Sequence, residues 1–205
     1  MPEESREDFE VVAFIDALPN LIRMGQTKEI ESILRKRFEK NLPRKVARYG
    51  ELQHIFIKFG PFNSLMQEAR SLYVDQYYRA AVALCGMTVE ALCIAIAEET
   101  ANNESLKEKL TDPSEKCRKK IRLLKNYLKV DKSASLLNQV LNIRKKYIHL
   151  HETRVVPEEV LRCINTLHLA VFAEYGLVPA EGGKVRFATK KDVEQHAGKL
   201  GMRLG

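Results

Sequence analysis

Arg144 and His149, with four residues between them in the run Arg144-Lys145-Lys146-Tyr147-Ile148-His149, are the side chains of this sequence best suited to chemistry. An imidazole titrating near its ordinary value of about 6.5 can take a proton from a hydroxyl or return one to a leaving oxygen. A guanidinium can brace a phosphate as negative charge builds on it. Together they suit attack of a ribose 2′-hydroxyl on the adjoining phosphate, a reaction that asks for no metal. On a helix the two positions lie about 140° apart around the axis, so they border a cleft between helices or subunits instead of sharing one face. A plainer role competes for His149, that of a helix C-terminal histidine favoured by the helix dipole.

Spacing alone discriminates little. Fifteen arginines and five histidines produce four such pairs, Arg48/His54, Arg144/His149, Arg144/His151 and Arg162/His168. Only the Arg144 pairs fall late in a helical segment that follows a strongly basic one, and His151 replaces His149 if the longer spacing is the one used. Glu90, an acid embedded in an apolar helical run, needs a partner that Arg144 can supply. Lys145 can contact phosphate but cannot accept a hydrogen bond. Tyr147 can stack on a base, although a core position competes. Lys116, Arg118, Lys119, Lys120, Arg122, Lys125 and Lys146 make up the candidate RNA-binding set. No phosphate-cradling glycine loop, G-x-S-x-G, H-E-x-x-H or Cys/His cluster accompanies them, so neither a cofactor nor a metal is expected.

The net charge of +7 is unevenly distributed. The first sixteen residues hold six acids and one base, residues 35–48 seven bases and one acid, and residues 116–132 eight bases and one acid. The basic stretches suit a polyanion such as RNA, while solvated helix faces account for the same charges. The acidic start opposes a secretory signal. Cys85, Cys93, Cys117 and Cys163 lack C-x-x-C spacing and fall in helical patterns, which reads as reduced, buried thiols in a cytoplasmic protein.

The elements that must position these residues are helical, because period 3.6 dominates the chain. Helices are expected over residues 6–17, 27–40, 44–59, 63–74, 76–100, 114–130, 135–151 and 157–175. Asp75 is the expected cap of the long one, and Pro157 a favourable first-turn proline. Residues 101–112 read as a loop, and residues 177–205 as a tail with a short strand at 185–187 and a helical turn capped by Thr189. The run from Ala80 to Ala97 approaches bilayer-spanning length, but Glu90 near its middle would cost about 2.5–3.5 kcal/mol in lipid, so burial in protein is expected and a membrane is not. Gly60-Pro61 is the best internal boundary. The expected fold is all-α: an antiparallel up-and-down helical bundle over residues 61–176, preceded by an N-terminal helical extension, 1–60, and followed by a short C-terminal tail, 177–205.

Over Gly60 to Gly176 the arrangement resembles the HEPN superfamily, helical bundles found in toxins, antiviral defence systems and RNA-processing enzymes. The resemblance rests on the long helix "YYRAAVALCGMTVEALCIAIAEE" with its Glu90, the basic helix after it, and "VLNIRKKYIHLH". It implies a homodimer with both motifs facing one groove, Arg144 on the phosphate, His149 as acid and base, and a 2′,3′-cyclic phosphate product. A further protein partner such as an antitoxin is also implied. Ribonuclease members commonly carry a polar or acidic residue, often Asn, directly after the Arg, where this chain has Lys145. That departure favours the alternative, a catalytically inactive HEPN-like module that binds RNA or a partner and dimerises. A third reading is a helical adaptor whose charged segments serve protein contacts.

Overall fold

The computed structural model describes residues 27–100, 104–149 and 155–202. The chain divides into two compact units, Met1–Ala47 and Arg48–Gly205. The helix expected over residues 6–17 lies outside the described residues.

Helix α1 runs unbroken from Thr27 to Glu51 and contains Pro43, where the sequence pattern suggests two helices. A proline removes one intrahelical hydrogen bond and kinks a helix, and here it does not end one. The irregular stretch that follows reaches Gly60, whose N–H donates to the Asn63 side chain at 2.7 Å and sets the entry to α2 (Phe62–Val74). Gly60-Pro61 thus begins a helix inside the second unit.

Helix α3 (Tyr78–Thr100) is the centre of that unit. It packs against α2, α4 (Glu104–Thr111), α5 (Cys117–Leu124), α6 (Ser133–His149) and α7 (Pro157–Tyr175). By length and composition α3 could cross a membrane, yet 61% of its most apolar window is buried within the protein. Ala81, Cys85, Gly86, Val89, Cys93 and Ala97 are all buried, and such small side chains let neighbouring helices approach closely. Asp75 sits at the junction before α3, but as the C-terminal cap of α2, with its N–H donating to Ser71 O. Gln76 then turns the chain with φ of 70°.

Two segments depart from the sequence pattern. Residues 104–111 form a helix that buries Leu110, and the basic helix is only Cys117–Leu124, continued by a 3-10 turn over Lys125–Tyr127. Beyond that turn, buried Glu174 accepts from the Lys129 N–H at 2.9 Å and from the Ser133 hydroxyl at 2.5 Å. These bonds tie the start of α6 to the end of α7 and satisfy a buried carboxylate, whose pKa burial pushes up.

The C-terminal region is folded further than a tail. Val185–Phe187 (β2) pairs antiparallel with Leu177–Pro179 (β1), a partner the sequence does not announce. Thr189 and Asp192 form a reciprocal capping box that starts α8 (Lys190–Lys199), and Val193 and Ala197 bury that helix against α7. Among the described residues the fold is a mostly helical bundle with one small hairpin.

Candidate functional site

The apolar positions of α6, Leu137, Val140, Leu141 and Tyr147, are buried, which orients the helix and turns Arg144 along its boundary with α3. The first turn of α5 closes the same end of the boundary. A cleft of about 400 Å³ results, lined by Glu90 of α3, Lys116, Cys117 and Arg118 at the start of α5, and Arg144 and Lys145 of α6.

Arg144 is the best-defined side chain of this cleft. Its stem crosses α3 in the notch left by Gly86, where a β-carbon would lie 2.1 Å from Arg144 Cδ and 2.6 Å from Nε. A glycine inside a helix costs roughly 0.5–1 kcal/mol relative to alanine, and this contact explains its presence. Nε is buried without a hydrogen-bond partner among the described residues. Glu90 shares the cleft wall but is exposed, so the acid in the apolar helix reaches solvent.

The candidate RNA-binding set divides. Lys116 and Arg118 are exposed at the cleft, with Arg118 held by Asn142 Oδ1 at 2.5 Å. Arg122 and Lys125 are exposed farther along the segment. Lys119 pairs with Glu115, which also withdraws that acid from the cleft's charge balance. Lys120 is only 4% exposed, a basic position that the helix turns inward. Lys146 points away from the cleft and pairs with Glu159 at 2.7 Å, and the Tyr147 hydroxyl donates to the same carboxylate. Tyr147 is fully buried, so it serves the core and is not available to stack on a base. His149 is the last residue of α6, and its side chain lies outside the described residues, as does His151.

Two participants were not evident from sequence patterns, Gly86 and Cys117. A glycine within an otherwise strong helical run was the available signal for the first. For Cys117 the signal was its place at the start of a basic helix, where partial positive charge and lysines favour a thiolate. Its pKa is lowered by a hydrogen bond from the Cys93 thiol, with Lys120 and Arg144 assisting against burial and Glu90.

The arrangement can hold a phosphate-bearing chain: Lys116, Arg118, Arg144 and Lys145 converge on one cleft that, among the described residues, retains only Glu90 as an acid outside the pair with Lys119. Comparison with protein-family models, curated proteins and solved structures finds no match to this chain.

Proposed function

We propose that this cleft binds the RNA backbone and that the protein is a HEPN-type, metal-independent endoribonuclease acting as a homodimer in the cytoplasm, of the kind found in toxins and antiviral defence. The observation that carries the reading is Arg144, seated in the Gly86 notch with an unpartnered Nε beside three further cations. In the proposed reaction the 2′-hydroxyl gives up its proton as its oxygen attacks phosphorus, the bond to the 5′-oxygen breaks, and that oxygen leaves protonated. His149 moves these protons and Arg144 carries the charge that develops on the phosphate. RNA cleavage that persists in chelator and leaves 2′,3′-cyclic phosphate ends is the expected result. Cleavage that stops on metal removal would exclude it.

The second reading, an inactive HEPN-like module that binds RNA or a partner and dimerises, is favoured by Lys145, which cannot accept a hydrogen bond from a neighbouring Arg or His. Salt-dependent RNA binding without turnover at any protein concentration distinguishes it.

Both readings predict phosphate contacts from the cleft cations. Each phosphate contact on a single strand contributes about 0.7 to the slope of log affinity against log salt. Lys116→Ala with Arg118→Ala should therefore flatten that slope by about 1.4, as measured by fluorescence anisotropy across salt concentrations. An unchanged slope would place RNA elsewhere.

Gly86→Ala separates positioning from stability. The added methyl favours the helix but occupies the space of Arg144 Cδ. The flexible arginine has to leave while the bundle stays, so the melting temperature should be held or raised as cleavage falls by roughly 10²-fold. Loss of cooperative melting would instead make Gly86 a packing residue only.

A further inference from the structure

The hairpin after α7 belongs to a ribbon wider than its two strands. Residues 56–58 run antiparallel beside the start of β1: Ile57 pairs with Gly176, the Leu177 N–H donates to Phe56 O at 2.7 Å, and the Lys58 N–H donates to Tyr175 O at 2.8 Å. This register sets Phe56 opposite Leu177, and Leu177 lies opposite Phe187. Directly opposed residues share a face, so the three form one row, with Pro179 and Val185 beside it two residues along. That face is open: Phe56 is 81%, Val185 68% and Phe187 48% exposed. Lys129 Nζ lies 4.3 Å from the centre of the Phe187 ring. Exposed apolar side chains gathered on one face mark a contact surface.

The two edges of the ribbon differ. Along β1, residues 56–58 cover Gly176 and Leu177, and Pro179 has no N–H to offer. Along β2, no strand pairs with the outer side among the described residues. The Ala188 N–H donates to Gly176 O and the Ala180 N–H to Lys184 O, both at 2.8 Å, which makes Val178 and Arg186 the hydrogen-bonded pair between them. Val185 and Phe187 therefore turn their N–H and C=O groups away from β1. Phe187 O accepts from Arg186 Nη1 at 3.1 Å and keeps a second lone pair. Such a row of groups is a template for another strand.

We propose that this edge is a self-association surface, on which a second copy of the chain adds its own β2, antiparallel, about a two-fold axis at Arg186. In that register the edge is complementary to itself. Val185 lies opposite the partner's Phe187, the two exchange both of their backbone hydrogen bonds, and symmetry repeats the pair. The apolar row of each ribbon then continues into the other. Arg186 meets its symmetry mate on the opposite face, with its charge already matched by Asp192 at 2.6 Å from Nη1 and 3.1 Å from Nη2. At each end, the hairpin tip of one copy, which carries Glu181, approaches the start of the other copy's α8, where Lys190 and Lys191 are exposed. Those opposite charges attract. A three-residue strand buries little, so the dimer is weak and concentration-dependent. The hairpin shares no residue with the RNA cleft, so failure of this pairing would leave the ribonuclease reading untouched.

Crosslinking reads the register directly. Residues that face each other as a non-hydrogen-bonded antiparallel pair have Cα atoms about 4.5 Å apart, within disulfide reach. In the full-length protein under mild oxidant, Arg186→Cys should form an intermolecular disulfide roughly tenfold or more faster than Lys184→Cys, whose symmetry mate lies about 13 Å away along the strand. In sedimentation equilibrium the wild-type average mass should rise with concentration. Val185→Pro removes an outward N–H and no bond to β1, so it should flatten that rise at an unchanged melting temperature. Equal crosslinking at the two positions would overturn the proposal, as would association that survives in folded Val185→Pro. A wild-type mass that stays constant up to roughly 1 mM would also overturn it and leave the edge to an extended segment of another protein. The crosslinking and wild-type readings hold even if Val185→Pro does not fold.

Discussion

Arg144→Ala and His149→Ala are each expected to lower chelator-resistant RNA cleavage by about 10²–10⁴-fold, the range spanned by a lost proton-transfer group or a lost brace for developing charge. The two losses should differ in kind. Arg144 lines the cleft with Lys116, Arg118 and Lys145, so its removal should weaken RNA binding as well as turnover. His149 ends α6, one helical turn beyond Lys145, so its replacement should leave binding nearly intact and remove the chemistry. A single-turnover assay with a separate binding titration reads both quantities. Unchanged cleavage by either folded variant rejects the assignment. Lys145→Asn adds a test of the inactive-module reading: a gain in turnover would show that the lysine holds back an otherwise competent pair, because an amide can accept the hydrogen bond that an ammonium cannot.

The helical class was legible because its signal is repeated along the chain, and the most apolar segment did become the central helix with its small residues turned inward. Caps were legible where they were local, as at Thr189, which bonds Asp192 three residues on. Asp75 shows the limit. A residue between two helices can serve either, and the choice of α2 over α3 depends on a left-handed turn at Gln76 that no residue type there demands. Pro43 is a second limit, since local propensity gives way when flanking turns continue the helix. The site was legible as composition but not as geometry. Nothing in the spacing of residues 116–125 says that Lys120 is buried while Arg118 and Lys116 reach the cleft, and the pairing of Lys146 with Glu159 comes from a helix that starts after it in the chain. Gly86 and Arg144 are far apart in sequence and meet only because α3 and α6 pack side by side.

A second large effect is expected in stability and lies outside the cleft. His168 in α7 is fully buried, and neither ring nitrogen has a hydrogen-bond partner among the described residues. Burial, with further repulsion from Arg70, His196 and His54, lowers its pKa to about 3. The unfolded chain takes up a proton at this residue below about pH 6.5, whereas the native protein does not until far lower, so the unfolded state binds more protons in between. Stability should therefore fall as pH drops through that window, by about 1.4 kcal/mol per pH unit and about 4 kcal/mol by pH 3.5 from this one residue. His196 works in the same direction, since burial lowers its pKa as well. His168→Leu removes the titrating ring and two unsatisfied nitrogens while keeping an apolar side chain of similar size, so it should hold or raise stability at pH 7 and flatten the acid limb. Urea titrations of wild type and variant at pH 7, 5 and 4 measure the difference. Parallel losses of stability on acidification would mean that His168 finds a proton partner in the native state and that the acid sensitivity belongs to the carboxylates.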